Sequence, residues 1–245
     1  MPPPTSLEFY DIGKVIGKGA FGSVILGTHR LTGLKVAMKS IDKKFIRRSE
    51  YNCSKVQREI QILKMIRHPN IVRILEVFEC KECVLIVMEY WGGGDLLQFV
   101  RQRTRLSETE AKSIFRQLMY GVRVCHSNMV LHRDFKLDNI LLNAKLNTAK
   151  IWDFGISKFI KADEILNEDC GTPAYLAPEI IADTGYKGFG SDIWSLGVCL
   201  YAMITGMVPF KGENIKNLHK LILKANYIIP DHVSAEASDL IRKML

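Results

Sequence analysis

The residues of this chain best suited to chemistry fall between Leu131 and Gly155. The stretch reads Leu131-His132-Arg133-Asp134-Phe135-Lys136-Leu137-Asp138-Asn139-Ile140-Leu141-Leu142, turns at residues 143–147, and resumes as Lys150-Ile151-Trp152-Asp153-Phe154-Gly155. Two short apolar runs, Ile140–Leu142 and Ile151–Trp152, suit brief paired strands that would fix the neighbouring polar groups at one edge. Two acids, Asp134 and Asp153, and an amide, Asn139, offer the hard oxygen ligands that Mg²⁺ prefers, and that ion usually takes one or two protein groups plus phosphate oxygens. A second carboxylate near such a site, itself unligated, can orient a hydroxyl and accept its proton. Those residue types suit movement of a phosphoryl group. One Asp in a turn is most often a turn former or a cap. The compound spacing His-Arg-Asp-x-Lys-x-x-Asn followed by Asp-Phe-Gly has few accidental matches.

Elements on both sides must position these groups. Upstream, Gly17-Lys18-Gly19-Ala20-Phe21-Gly22 is a GxGxxG run, which also occurs in dinucleotide-binding turns. Asp42 even lies about where the ribose-binding acid of such a turn would be. That motif opens a helix, however, whereas residues 23–28 continue as β-type sequence to a turn at Thr32-Gly33 and a second strand, Leu34–Lys39. A helix is expected at about Tyr51–Met65, with Val56, Ile60 and Leu63 as its inward stripe. Pro69 disfavours helical geometry at His68 and should end it. Ile71–Phe78 and Val84–Met88 read as two further strands joined at Cys80-Lys81-Glu82-Cys83. A zinc site would need a second cysteine pair or histidines nearby, so this CxxC reads as a hairpin turn. After Glu89-Tyr90-Trp91-Gly92-Gly93-Gly94, helical patterns dominate. Asp95 starts a helix carrying Leu96, Phe99 and Val100, and Ser107-Glu108-Thr109-Glu110 is a capping box ahead of Ala111, Phe115, Leu118 and Val122. Two last helices are expected over about 214–224 and 235–244.

Taken together, these motifs resemble those of eukaryotic protein kinases of the serine/threonine type, and the likeness runs almost end to end. Within that family the chain resembles the calcium/calmodulin-dependent and AMP-activated groups. The resemblance implies an α+β, bilobal protein-kinase-like fold. Residues 1–9 are a tail, and 10–88 form a small antiparallel β lobe with one main helix. A hinge spans 89–94, and 95–245 form a larger, mainly helical lobe. It also implies transfer of the ATP γ-phosphoryl group to a protein Ser or Thr hydroxyl, with ATP and Mg²⁺ as cofactors. Asp134 orients the hydroxyl and takes its proton, Lys136 neutralises the γ-phosphate, and Asn139 and Asp153 hold the metal. Lys39, in Val-Ala-Met-Lys, clamps the α- and β-phosphates and pairs with Glu59. The nucleotide pocket is expected to involve Ile16, Gly17, Lys18, Gly19, Ala20, Phe21, Gly22, Ser23, Val24, Ala37, Lys39, Met88, Glu89, Trp91, Leu141 and Asp153. In such a flap the absent glycine Cβ atoms let backbone amides approach phosphates. Met88 takes the gatekeeper position, Asp192 anchors the catalytic-loop backbone, and Thr172 with Lys136 marks the serine/threonine branch. Asp95 and Asp138 sit where related enzymes recognise a substrate arginine, a weak lean towards basic substrates that Ala202 does not extend to a second arginine.

Composition narrows the alternatives. The chain has 245 residues, 47% of them hydrophobic, enough for a substantial core. No apolar run approaches the roughly 18 residues of a membrane span. The start Met1-Pro2-Pro3-Pro4-Thr5 lacks the basic and apolar regions of a signal peptide, which points to the cytoplasm or nucleus. The net charge of +8 is uneven, residues 1–90 carrying 15 Lys+Arg against 9 Asp+Glu. Without interleaved aromatics this excess does not point to nucleic acid. Six cysteines form no disulfide-like framework. The expected partner is a protein substrate; oligomeric state is not legible.

Three departures from the kinase pattern matter. Phe135 and Leu137 replace the commoner Leu and Pro, and both changes look tolerable. Glu168 stands where many relatives carry a phosphorylated threonine. It is expected, with Asp169, to supply standing charge for Arg133, so that loop phosphorylation is not required. Phosphorylase kinase's catalytic subunit is similar there. Third, the sequence ends at Leu245, before the downstream arginine that pairs with the Glu179-type residue in relatives, so a truncated helical lobe is expected. A catalytically dead scaffold and a small-molecule kinase are the competing readings. Retention of Lys39, Asp134, Asn139 and Asp153 argues against the first, and the intact 171–179 segment against the second.

Overall fold

Alternating apolar positions and turn residues in the first third of the chain build one antiparallel sheet. The computed structural model describes residues 6–19, 22–161, 163–168 and 170–245, which divide into two units, Met1–Gly92 and Gly93–Leu245. The first unit contains β1 (Tyr10–Gly19), β2 (Gly22–His29), β3 (Lys35–Asp42), a short α1 (Lys43–Ile46), α2 (Glu50–Met65), β4 (Ile74–Glu79) and β5 (Cys83–Glu89). The strand order is β1-β2-β3-β5-β4, every neighbouring pair antiparallel. Side chains alternate across a sheet, so β3 sends Val36 and Met38 to one face and Lys39 and Ile41 to the other. On the first face Val36 and Met38 join Tyr10, Leu85 and Val87 in a buried cluster, against which Phe78, Cys80 and Cys83 pack.

The helix of this unit starts at Ser49, whose side chain accepts from the Asn52 amide, and ends at Met65, with Ile66 already extended. Its buried residues are Val56, Glu59, Ile62 and Leu63, while Ile60 is only half-buried. The expected stripe of Val56, Ile60 and Leu63 is therefore displaced. At 3.6 residues per turn, Glu59 falls near the centre of the buried face and Ile60 at its margin. A carboxylate in that place needs a cationic partner, and the sheet provides one. The expected strand from Ile71 also begins later, at Ile74, because Ile71 and Val72 serve as buried anchors ahead of β4.

The second unit contains α3 (Leu96–Arg103), α4 (Glu108–Ser127), β6 (Val130–Leu131), β7 (Ile140–Leu142), β8 (Ala149–Ile151), β9 (Lys158–Phe159), α5 (Pro178–Ile181), α6 (Gly188–Thr205), α7 (Ile215–Leu223) and α8 (Ala235–Met244). The strands form two small antiparallel pairs, β6 with β9 and β7 with β8. α6 is buried on most of its surface, as expected of a helix apolar nearly all round. α4 buries Ala111, Phe115, Leu118 and Val122 on one face. No helix among the described residues is long and apolar enough to cross a membrane.

The capping box at the head of α4 is complete. The Ser107 hydroxyl accepts from the Glu110 amide at 3.3 Å, and the Glu110 carboxylate accepts from the Ser107 amide at 3.1 Å. Ser107→Ala leaves an amide of the first turn without its partner. It should lower stability by about 1 kcal/mol, read as a shift in the urea midpoint at constant slope.

Candidate active site

In the second unit, the segment from His132 to Asn139 is held from beneath by one carboxylate. Asp192, on α6 and 1% exposed, accepts from the His132 amide at 3.0 Å and the Arg133 amide at 2.9 Å, and contacts His126 Nε2 at 2.9 Å. The amides point that way because Arg133 adopts a left-handed backbone conformation, with φ +69°. Such a conformation is uncommon for a residue with a Cβ and persists where surrounding contacts over-determine it. The His132 ring stacks on Phe135 at 4.3 Å and meets Phe154 edge-on at 4.9 Å. Phe135 and Leu137, the two unusual residues of this segment, are both buried.

Above this support the polar groups converge. The Thr172 hydroxyl donates to Asp134 Oδ1 at 2.7 Å, and Lys136 Nζ lies 3.0 Å from Asp134 Oδ2 and 3.1 Å from Thr172 Oγ1. Asn139 Nδ2 donates to the Asp134 carbonyl at 2.8 Å and to Asp134 Oδ2 at 2.9 Å. With the amide nitrogen so engaged, the amide oxygen of Asn139 is left as an acceptor. The β7–β8 ladder pairs Ile140 with Ile151 and extends one step further, the Trp152 amide donating to the Asn139 carbonyl at 3.1 Å. That extension brings the residue after Trp152, Asp153 at φ +59°, to the same end of the ladder as Asn139. Leu141 is half-buried on β7 and bridges to Asp95. Both Asp95 oxygens are engaged by Gln98, through its amide and its side chain, whereas Asp138 is exposed.

Arg133 itself points away from Asp134. Its guanidinium is almost completely buried, donates through Nε to the Ile156 carbonyl at 2.6 Å, and pairs through Nη1 with Glu168. Lys158, on β9, reaches the other Glu168 oxygen at 2.8 Å and Glu164 at 3.1 Å. Burial alone would raise the Glu168 pKa, but hydrogen bonds from Lys158 and Arg133, with the charges of both, lower it to about 2. The segment carrying Glu168 is clamped by a two-residue bridge: Leu166 and Tyr186 exchange backbone hydrogen bonds at 2.9 and 3.0 Å, and the Tyr186 hydroxyl donates to the Glu168 carbonyl at 3.2 Å. Gly185, at φ +80°, permits this approach, since a Cβ there would lie 2.6 Å from Ile165 Cγ2. Glu179 is half-buried and forms no ion pair among the described residues.

In the first unit, Lys39 Nζ lies 2.7 Å from Glu59 Oε1, with side-chain exposures of only 8% and 3%. Ala37 and Met88 are register partners, as are Val24 and Lys39, so the four lie together near the middle of the sheet. Met88 is buried and Ile16 exposed. Gly17 pairs with Val24, Lys18 with Ser23, and Gly19 with Gly22. Gly22 has a packing reason: a Cβ there would collide with the Ser40 carbonyl oxygen on β3. Glu89 accepts from the Arg73 amide at 2.7 Å, and Trp91 lies just beyond β5. The expectations placed on Ala20, Phe21 and Asp169 lie outside the described residues.

The structure thus gathers Asp134, Lys136 and Asn139 into one hydrogen-bond network, with Asp153 at the neighbouring strand end, and joins Lys39 to Glu59. Sequence reasoning missed Lys158 as a partner of Glu168, for which no local signal exists. It read Thr172 only as a branch marker, not as a ligand of Asp134.

Comparison with known proteins gives a concordant result. A model of the protein kinase domain matches residues 10–245. The chain is 43% identical over 240 residues to serine/threonine protein kinase OSK3 of Oryza sativa, covering 98% of this chain and 47% of that protein. It is 43% identical over 239 residues to SNF1-related protein kinase catalytic subunit alpha KIN12 of Arabidopsis thaliana, covering 98% and 48%. It is 41% identical over 244 residues to serine/threonine-protein kinase SIK2 of Gallus gallus, covering all of this chain and 30% of that protein. The chain therefore spans about half the length of the first two relatives, and less of the third.

The depressed Glu168 pKa has a direct consequence. Its folded-state value lies below the ordinary 4.5, so the stability it contributes is present above about pH 4.5 and is lost as pH falls towards about 2. Thermal melts across that window should show the unmodified protein losing stability more steeply than Glu168→Gln. Parallel curves would contradict the ion-pair assignment.

Proposed function

The chain belongs to the protein kinase family, and we propose that it transfers the γ-phosphoryl group of ATP to Ser or Thr hydroxyls of protein substrates. The observation that carries this reading is the Thr172 hydroxyl, which donates to Asp134 at 2.7 Å with Lys136 Nζ 3.1 Å from its oxygen. It is an in-chain example of an aliphatic alcohol held by a carboxylate beside a fixed ammonium. A substrate hydroxyl held by Asp134 in the same manner loses its proton to that carboxylate. Its oxygen bonds to the γ-phosphorus as the bond to the β,γ-bridging oxygen breaks, and ADP leaves. Lys136 offsets charge on the transferring group. Such transfer relies on positioning and charge neutralisation more than on covalent chemistry by the enzyme.

Asn139 and Asp153 fit Mg²⁺, since they bring an amide oxygen and a carboxylate to one strand end, and the Asn139 nitrogen is already committed to Asp134. When bound, the ion neutralises charge on phosphate oxygens. In the first unit, Lys39 is the group that takes the nucleotide phosphates, held extended by Glu59. The exposed Asp138 favours peptides carrying a basic residue; Asp95, engaged by Gln98, favours them less.

We further propose that Glu168 performs, without modification, the task a phosphorylated residue performs in relatives. It pairs with the Arg133 and Lys158 cations and holds the segment that carries Thr172.

Peptide-library phosphorylation with Mg-ATP tests the activity. Asp134→Asn should bind ATP with little change and lose about 10²–10⁴-fold in kcat. ATP binding without transfer by the unmodified protein would favour a scaffold, and transfer only to small alcohols would favour a small-molecule kinase.

A further inference from the structure

The CxxC at residues 80–83 has no part in phosphoryl transfer, yet the fold brings its two thiols together. The β4–β5 register pairs Glu79 with Val84, so the next step inward sets Cys80 opposite Cys83, with Lys81 and Glu82 as the two turn residues. The Cys80 amide donates to the Cys83 carbonyl at 2.9 Å, closing the hairpin. Hydrogen-bonded cross-strand partners have Cα atoms about 5.5 Å apart, within the Cα span of disulfides, and their Cβ atoms, up to about 5.5 Å apart, must draw in to about 4.5 Å for the bond to form. The side chains share a face, since both cysteines pack against the cluster of Tyr10, Val36, Met38, Leu85 and Val87. Neither is fully enclosed; each is half-buried. The Cys83 thiol also lies close enough to Cys80 to disfavour ionisation there, second to burial.

No group of three or more His, Cys, Asp or Glu that could hold a metal ion occurs among the described residues. The other cysteines are placed differently. Cys125 and Cys199 are fully buried, Cys53 sits on α2, and Cys170 lies on the segment beside Arg133.

We propose that Cys80 and Cys83 are a redox-active pair that closes to an intrachain disulfide when exposed to a hydroperoxide. The sulfur of one thiol attacks a peroxide oxygen, the O–O bond breaks and water leaves, giving a sulfenic acid. The second sulfur attacks that sulfur, the S–O bond breaks, and a second water carries away the remaining proton. Each disulfide therefore consumes two thiols and one hydroperoxide and yields two waters, where hydrogen peroxide is the oxidant. A dithiol reductant returns both thiols by exchange. Burial holds the Cys80 thiol above its ordinary pKa, which keeps little thiolate at neutral pH and makes the pair a slow responder rather than a peroxidase-like one.

The register also states what closure leaves alone. Lys39 pairs with Ile86, so its side chain lies on the opposite face of the sheet from Cys83, Leu85 and Val87. The bridge staples the hairpin on the far side from the Lys39–Glu59 ion pair.

The test uses the whole chain, reduced, freed of reductant, treated with hydrogen peroxide, then unfolded and alkylated. Intact mass should reveal a species about 2 Da lighter that escapes alkylation at two positions and is restored by dithiothreitol. Tryptic cleavage after Lys81 should yield two peptides joined through Cys80 and Cys83. Cys170→Ser should keep this product, and Cys83→Ser should abolish it. Alkylation of both Cys80 and Cys83 after peroxide treatment would overturn the proposal, as would survival of the lighter species in Cys83→Ser, or linkage only between chains. ATP-binding affinity should change less than about twofold on oxidation; a large loss reversed by dithiothreitol would overturn the assignment of the bridge to the far face.

Discussion

A guanidinium cannot shed its charge at any pH a protein meets, so a buried arginine must be given partners. Arg133 is such a residue, with a side chain 3% exposed and its backbone immediately before Asp134. Two acceptors meet the demand, the Ile156 carbonyl and the Glu168 carboxylate, and the Lys158 ammonium holds the other Glu168 oxygen. Because the Arg133 amide is fixed to Asp192 on α6, the side chain acts as a strut between a buried helix and the segment 164–172. Removing one member of a buried pair leaves the other uncompensated, at a cost of about 3–5 kcal/mol. Glu168 is 42% exposed, so its share of any such cost is reduced by solvent. Its main effect is on position: it sets where the segment lies, and thereby where the Thr172 hydroxyl stands relative to Asp134.

The same logic recurs in the first unit on a smaller scale. Glu59 occupies the centre of the buried face of α2, where an isolated carboxylate would be costly, and Lys39 satisfies it from β3. In each unit an ion pair with at least one buried partner thus holds a long side chain in one direction. Such pairs add little stability against an apolar alternative, but they fix geometry.

Much of this was legible in the sequence, and the reasons are local. The spacing from His132 to Asn139 and on to Asp153 is read directly, because short strands keep neighbouring residues neighbours in space. The capping box at Ser107 and the turn at Cys80–Cys83 are likewise signals whose partners lie within a few residues. What the sequence hides are meetings between distant parts. Nothing near Lys158 announces that it faces Glu168, and nothing near Gly22 shows that the Ser40 carbonyl occupies the place of its Cβ. The error at Ile60 has a different origin. A stripe chosen by hydrophobicity alone cannot see that a charged residue, Glu59, holds the centre of the buried face, since tertiary pairing overrides the apolar pattern.

If the segment's fixed charge makes the arrangement around Asp134 standing rather than switched, activity needs no modification of residues 164–172. The most direct measurement is peptide phosphorylation by the chain produced without any upstream kinase, phosphatase-treated, and shown by mass spectrometry to be unmodified at assay start. Turnover is expected at once, without a lag, at a rate that prior incubation with an upstream kinase does not raise. Activity that emerges only after a phosphoryl group has been added to the segment 164–172 would contradict it.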